Sequence, residues 1–178
     1  MNLPLASEAV TAHRAGVVAI VGRPNVGKST LLNRLAGAKL SITSSKPQTT
    51  RHRVTGIVTR PAGQIVFADP PGYQTGHRSP LDQAMNRSVT SSLQETNAIV
   101  WVVEALKFDE RDETVAKLLP PGVPVVLAVN KTDAVKDKNQ LLPFISRLSL
   151  QREFVAIIPV SAEKGRQLDD LLKVVLPL

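Results

Sequence analysis

The stretch VVAIVGRPNVGKSTLLNRLAG, residues 17–37, constrains the chain more than any other. VVAIV is continuous, apolar and rich in β-branched residues, as a strand buried on both faces would be. Leu31, Leu32 and Leu35 follow at helical spacing, and Gly37 supplies a stop. Between the two patterns, Gly22…Gly27-Lys28-Ser29 fits G-x-x-x-x-G-K-[ST]. That spacing predicts a loop whose backbone N–H groups wrap a polyphosphate. The glycines permit the close approach and the helix N-terminus adds its dipole. Gly22, Arg23, Pro24, Asn25, Val26, Gly27, Lys28, Ser29 and Thr30 are therefore read as nucleotide-binding. Lys28 would reach the β- and γ-phosphates as a catalytic charge, and Ser29 would ligate Mg²⁺. A glycine turn with a surface lysine is the weaker alternative, because strand and helix patterns flank the loop on both sides.

The rest of the chain repeats the alternation. VTGIVTR (54–60) and QIVFAD (64–69) flank PAG, which reads as a hairpin turn. AIVWVV (98–103), PVVLAVN (124–130) and EFVAIIPV (153–160) are further buried strands. Helices are predicted near 81–94, 110–119, 138–149 and 167–176. The expected fold is α/β: a mostly parallel six-stranded sheet with one antiparallel strand at an edge and helices on both faces. Two polar stretches, 39–53 and 70–80, are long for structureless loops in a compact domain, and such loops are more often functional than filler.

Other motifs fall at predicted strand ends, the edge where open α/β sheets bind ligands. Asp69 opens DPPG; its carboxylate can hold Mg²⁺ through a water, and the Gly72 N–H can turn toward a γ-phosphate as a catalytic contact. NKTD (130–133) ends the fifth strand run. Asp133 can accept from guanine N1–H and N2–H₂, a donor pair that adenine lacks, and sites of this kind discriminate strongly. Lys131 can lay its aliphatic stem over the base, and Asn130 reads as a brace to the phosphate loop. In SAEKG (161–165), Ser161, Ala162 and Glu163 are read as nucleotide-binding, with the Ala162 N–H facing guanine O6. Any one of these short motifs alone would mean only a strand-end loop.

Taken together, Gly22–Ser29, Asp69–Gly72, Asn130–Asp133 and Ser161–Lys164 resemble the signature set of the translation-factor-related P-loop GTPases. KPQTTRHRVTGIV (46–58), behind GRPNVGKSTLLNRL, is similar to the Era family of bacterial ribosome-assembly GTPases. The resemblance runs over roughly residues 16–178. It implies a P-loop GTPase domain that binds GTP and GDP with Mg²⁺, and that acts in small-subunit (16S rRNA) assembly. Related GTPases of tRNA modification or large-subunit assembly, and a non-hydrolysing GTP-binding scaffold, are the alternatives. By the resemblance, Thr49 and Thr50 belong to a first switch, with Thr50 a ligand to Mg²⁺ and a catalytic contact to the γ-phosphate. Two departures stand out. Pro70 replaces the usual threonine, removing an N–H. Tyr73 stands where many small GTPases orient water with glutamine, and Gln74 is one residue late. Relatives with a hydrophobic residue there include K⁺ users, in which the loop asparagine, here Asn25, ligates the ion. The family continues into a KH RNA-binding domain, whereas no GXXG loop follows here, so an isolated GTPase domain is expected.

The chain of 178 residues is enough for one domain with a sizeable core. Aromatics are only 3%, so that core must be aliphatic. The absence of cysteine excludes disulfides, thiolate catalysis and zinc–sulfur sites, and fits a reducing cytoplasm. No apolar run reaches membrane-spanning length, and residues 1–15 read as a flexible arm rather than a signal peptide. The formal charge of +7 favours polyanionic partners: nucleotide, RNA or an anionic membrane surface, with peripheral attachment to the inner membrane one consequence. Lys46, Arg51, Arg53 and Arg60, in or beside the first switch, are candidates to read RNA or a protein. A monomer is expected.

Overall fold

The computed structural model describes residues 14–37, 53–69 and 88–178. Thr49, Thr50, Gly72 and the departures Pro70 and Tyr73 lie outside these residues, as do Lys46 and Arg51.

Six strands form one sheet: β1 (Arg14–Val21), β2 (Arg53–Arg60), β3 (Gly63–Asp69), β4 (Ala98–Glu104), β5 (Val125–Asn130) and β6 (Ala156–Pro159). Their spatial order is β2-β3-β1-β4-β5-β6. All pairs are parallel except β2 with β3, and β2 stands at an edge, as the hairpin pattern predicts. β1 starts at Arg14 and so takes in the last residues assigned to the arm. β6 is shorter than the run 153–160. Its parallel partner β5 begins only at Val125, which accepts from the Val155 N–H at 2.9 Å, so residues before 155 have no strand to pair with.

Helices α1 (Lys28–Ala36), α2 (Glu110–Leu118), α3 (Leu141–Ser149) and α4 (Leu168–Val175) lie close to the predicted spans. Residues 88–94 are also helical. Helices cover both faces, which is why the strands lack polar alternation. Val18, Ile20, Val100, Val102, Val126 and Ala128 pack with Leu31, Leu35, Leu171 and Val175 on one face. Ala19, Val21, Ile99, Trp101, Leu127 and Val129 pack with Val89, Leu93, Val115 and Leu148 on the other. Trp101, fully buried, has Phe108 and Phe154 rings at 6.0 Å. The period of two along each strand therefore feeds two aliphatic cores.

The hairpin corrects one expectation. Arg53 sits beside Asp69 at the carboxyl end of β3, but Arg60 sits beside Gly63 at the opposite end. At strand rise this separates the two by more than about 20 Å, and Arg60 lies 4.0 Å from Asp169 of α4 instead. Arg60 cannot share a basic cluster with Arg53, because the two stand at opposite ends of the same edge strand.

Candidate nucleotide site

The loop after β1 turns through left-handed geometry at Asn25 (φ 66) and Gly27 (φ 97) before α1 begins at Lys28. Its glycines are needed for space as well as for dihedral freedom. A Cβ on Gly22 would lie 2.3 Å from the Val102 carbonyl oxygen, and one on Gly27 would lie 2.4 Å from the Asn130 side-chain nitrogen. Pro24, Asn25, Ser29 and Thr30 are exposed, while Val26 is fully buried and anchors the loop in the core.

Lys28 Nζ donates to the Gly22 and Arg23 carbonyls at 2.6 and 2.9 Å. Burial pushes its pKa down; the Asp69 carboxylate acts against this and the Arg23 charge adds to it. Lys28 and Asp69 also line a common cavity of about 340 Å³, walled by Val89, Leu93 and Val115. The carboxyl end of β3 is thus brought to the phosphate loop, although β3 and the loop are far apart in sequence.

Asn130 ties three loops together. Its Nδ2 donates to the Val26 carbonyl at 2.8 Å and its Oδ1 accepts from the Ala162 N–H at 3.0 Å. The brace to the phosphate loop is as the sequence predicts. The Ala162 N–H, expected to face guanine O6, donates to Asn130 here, so a base oxygen would have to share that hydrogen. Asp133 Oδ1 accepts from the Ser161 hydroxyl, and Ser161, itself buried, accepts from the Lys164 N–H at 3.1 Å. The Ser161 hydrogen bond is the largest influence holding Asp133 below the usual carboxylate range, against a smaller opposing effect of burial. An ionised carboxylate retains acceptor capacity beyond one hydroxyl, so Asp133 can still receive a paired donor edge. Glu163 is exposed, and its backbone carbonyl accepts from Arg34 of α1 at 2.7 Å.

Arg23 contributes differently from the other loop residues. Its guanidinium turns inward, is buried, and donates from Nε to Asp112 Oδ2 at 2.9 Å. Its backbone carbonyl accepts from Lys28 Nζ. Asp112, fully buried, is also the third residue of α2, where it accepts from the Asp109 N–H at 3.1 Å in a capping box. Glu104, at the end of β4, accepts from Lys131 Nζ at 2.8 Å. Neither Glu104 nor Asp112 is singled out in the sequence reading. Signals for both were present: a lone charge closing an apolar run, and the Asp109-x-x-Asp112 spacing of a cap.

A family model described as 50S ribosome-binding GTPase matches residues 17–131. The chain belongs to this GTPase family. Among individual family members, GTPase Era of Nitrosomonas eutropha is 52% identical over 163 residues, covering 92% of this chain and 55% of that protein. A solved structure of an Aquifex aeolicus Era variant bound to GDP and AlF4⁻ superposes with a TM-score of 0.73 at 39% identity, covering 92% of this chain and 56% of that one. A second, Era with MgGDPNP and nucleotides 1506–1542 of 16S ribosomal RNA, gives 0.74 at 40% identity, over 93% of this chain and 57% of that one. The chain thus spans little more than half the length of the family members it matches. The sheet order and single antiparallel edge pair described above are those of the P-loop GTPase fold.

Proposed function

We propose that residues 16–178 form a guanine-nucleotide switch unit of the Era type, hydrolysing GTP to GDP and phosphate in support of small-subunit (16S rRNA) assembly. The observation that carries this reading is the Asn130 clamp. One side chain joins the phosphate loop to NKTD and to the 161–165 loop, so a single ligand can meet all three. Asp133, held ionised beside Ser161, supports selection of guanine. The family description names the large subunit, but the 52% identity to Era and the 16S fragment bound to an Era structure favour the small one.

In hydrolysis, water attacks the γ-phosphorus, the bond to the bridging oxygen breaks, GDP leaves, and the water proton ends on phosphate. The protein positions groups and stabilises charge rather than forming bonds. Lys28 exchanges two carbonyl acceptors for phosphate oxygens, and the loop N–H groups line the same cradle. Ser29 and Asp69 offer hard oxygen donors suited to Mg²⁺, and Asp69 is close enough to Lys28 to affect its ionisation. Bound there, Mg²⁺ would neutralise phosphate charge. Thr49, Thr50 and Gly72 complete the proposed γ-phosphate contacts. Asn25, exposed and left-handed, is the proposed K⁺ ligand that compensates for Tyr73.

No helix among the described residues is long and apolar enough to cross a membrane. The charge of +7 supports a polyanionic partner, RNA before an anionic membrane surface, for a cytoplasmic monomer. Calorimetry with Mg²⁺ present should show GTP and GDP binding, with ATP at least about a hundredfold weaker. Single-turnover hydrolysis should be slow, and faster in K⁺ than in Na⁺. ATP bound as tightly as GTP would sink the reading, and equal rates in the two salts would remove the ion from it.

A further inference from the structure

Glu104 stands where three cations meet. Its Oε2 is 2.8 Å from Lys131 Nζ and 3.8 Å from Arg23 Nη2, and its Oε1 is 2.6 Å from Lys107 Nζ. Only 12% of its side chain is exposed. Burial alone would push its carboxyl up, but hydrogen bonds and charge from Lys107 and Lys131 prevail and hold it below the usual range. The three cations come from the phosphate loop, the base loop and the turn after β4. The backbone repeats the connection, since the Ala105 N–H donates to the Asn130 carbonyl at 2.8 Å. Through Arg23 the charges continue to Asp112 at the start of α2.

We propose that Glu104 is a positioning residue for nucleotide recognition, holding the Lys131 stem in the pose that meets the purine and keying that pose to the phosphate loop through Arg23. This rests on the guanine-nucleotide reading above. A lysine stem has many rotamers, and ordering them on binding opposes affinity. The backbone of Lys131 is already set, left-handed at φ 63 and leading into a tight turn at Thr132–Ala134. A largely buried carboxylate then selects one extended course for the side chain before any ligand arrives. The second contact, to Arg23, means that the base loop and the phosphate loop share one anchor.

The test is a double-mutant cycle on GDP affinity in the full 178-residue chain with Mg²⁺. Glu104→Gln should weaken GDP about tenfold through loss of a charge-assisted contact. Combined with Lys131→Met, it should add little to the loss from Lys131→Met alone, because Glu104 acts through that lysine. Thermal unfolding of the nucleotide-free variants checks the fold. If Glu104→Gln does not fold, Glu104→Asp, which keeps the charge on a shorter arm, enters the same cycle with a smaller expected loss. A folded Glu104→Gln that binds GDP like the parent overturns the proposal, and so do losses that simply add, the pattern of a merely structural residue. Failure of the parent chain to bind GDP is a separate result, which overturns the guanine reading and this inference with it.

Discussion

At the scale of the residue, on the guanine-nucleotide proposal the hydroxyl of Ser161 would set the acid limit of base recognition. Asp133 must be ionised to accept a donor pair, and its hydrogen bond from Ser161 keeps its pKa depressed. A carboxylate with a depressed pKa contributes above its unfolded value and loses that contribution as pH falls through the folded value. Ser161→Ala should raise the Asp133 pKa toward the ordinary range. The pH below which GDP affinity falls should therefore move upward, with affinity at neutral pH changed much less. Titrations of GDP affinity against pH for parent and variant would check this, and an unmoved acid limb would count against it. The Asn130 brace was legible in sequence because its chemistry is carried by residue type at a strand end. For Glu104 the sequence shows only a lone charge closing an apolar run, because the three cations beside it converge only in space.

At the scale of the element, α2 is tied to the phosphate loop by one carboxylate. Asp112 Oδ2 accepts both the Asp109 N–H of the cap and Arg23 Nε. Asp112→Ala would remove the half of the capping box that binds the Asp109 N–H, a hydrogen bond worth about 1 kcal/mol, and leave a buried guanidinium without its closest partner, which costs about 3–5 kcal/mol when an ion pair is broken from one side. Glu104, 3.8 Å from the same guanidinium, offsets part of this. A loss of about 3 kcal/mol in urea unfolding is expected, together with weaker GDP binding because the loop is no longer held from behind. A change below about 1 kcal/mol would place the pair with ordinary surface ion pairs. Strands and helices themselves were largely readable, since apolar runs and helical spacing are local. The misread parts, the start of β6 and the position of Arg60, depend on where a neighbouring strand begins and which way a hairpin runs.

At the scale of the molecule, a nucleotide bound at the proposed site should be linked to the fold, because the clamp of Asn130 joins segments from β1 to beyond β6. Trp101, the single tryptophan, is buried in the second core and reports the loss of that core. GDP with Mg²⁺ at a hundredfold excess over Kd should stabilise the chain by about 2.7 kcal/mol, a rise of roughly 5–10 °C in the midpoint followed by Trp101 fluorescence. ATP at the same concentration should produce almost none, and an equal rise with ATP would contradict guanine selection. The sequence by itself determined the class of fold, the phosphate loop and the fall of the motifs at strand ends, because each depends on neighbours within a few residues and on the period of a strand or helix. Tertiary structure alone decided that Arg23 reaches Asp112 across 89 positions and that Glu104 meets Arg23, Lys107 and Lys131. Such meetings follow from strand order and the packing of two cores, which no local pattern encodes.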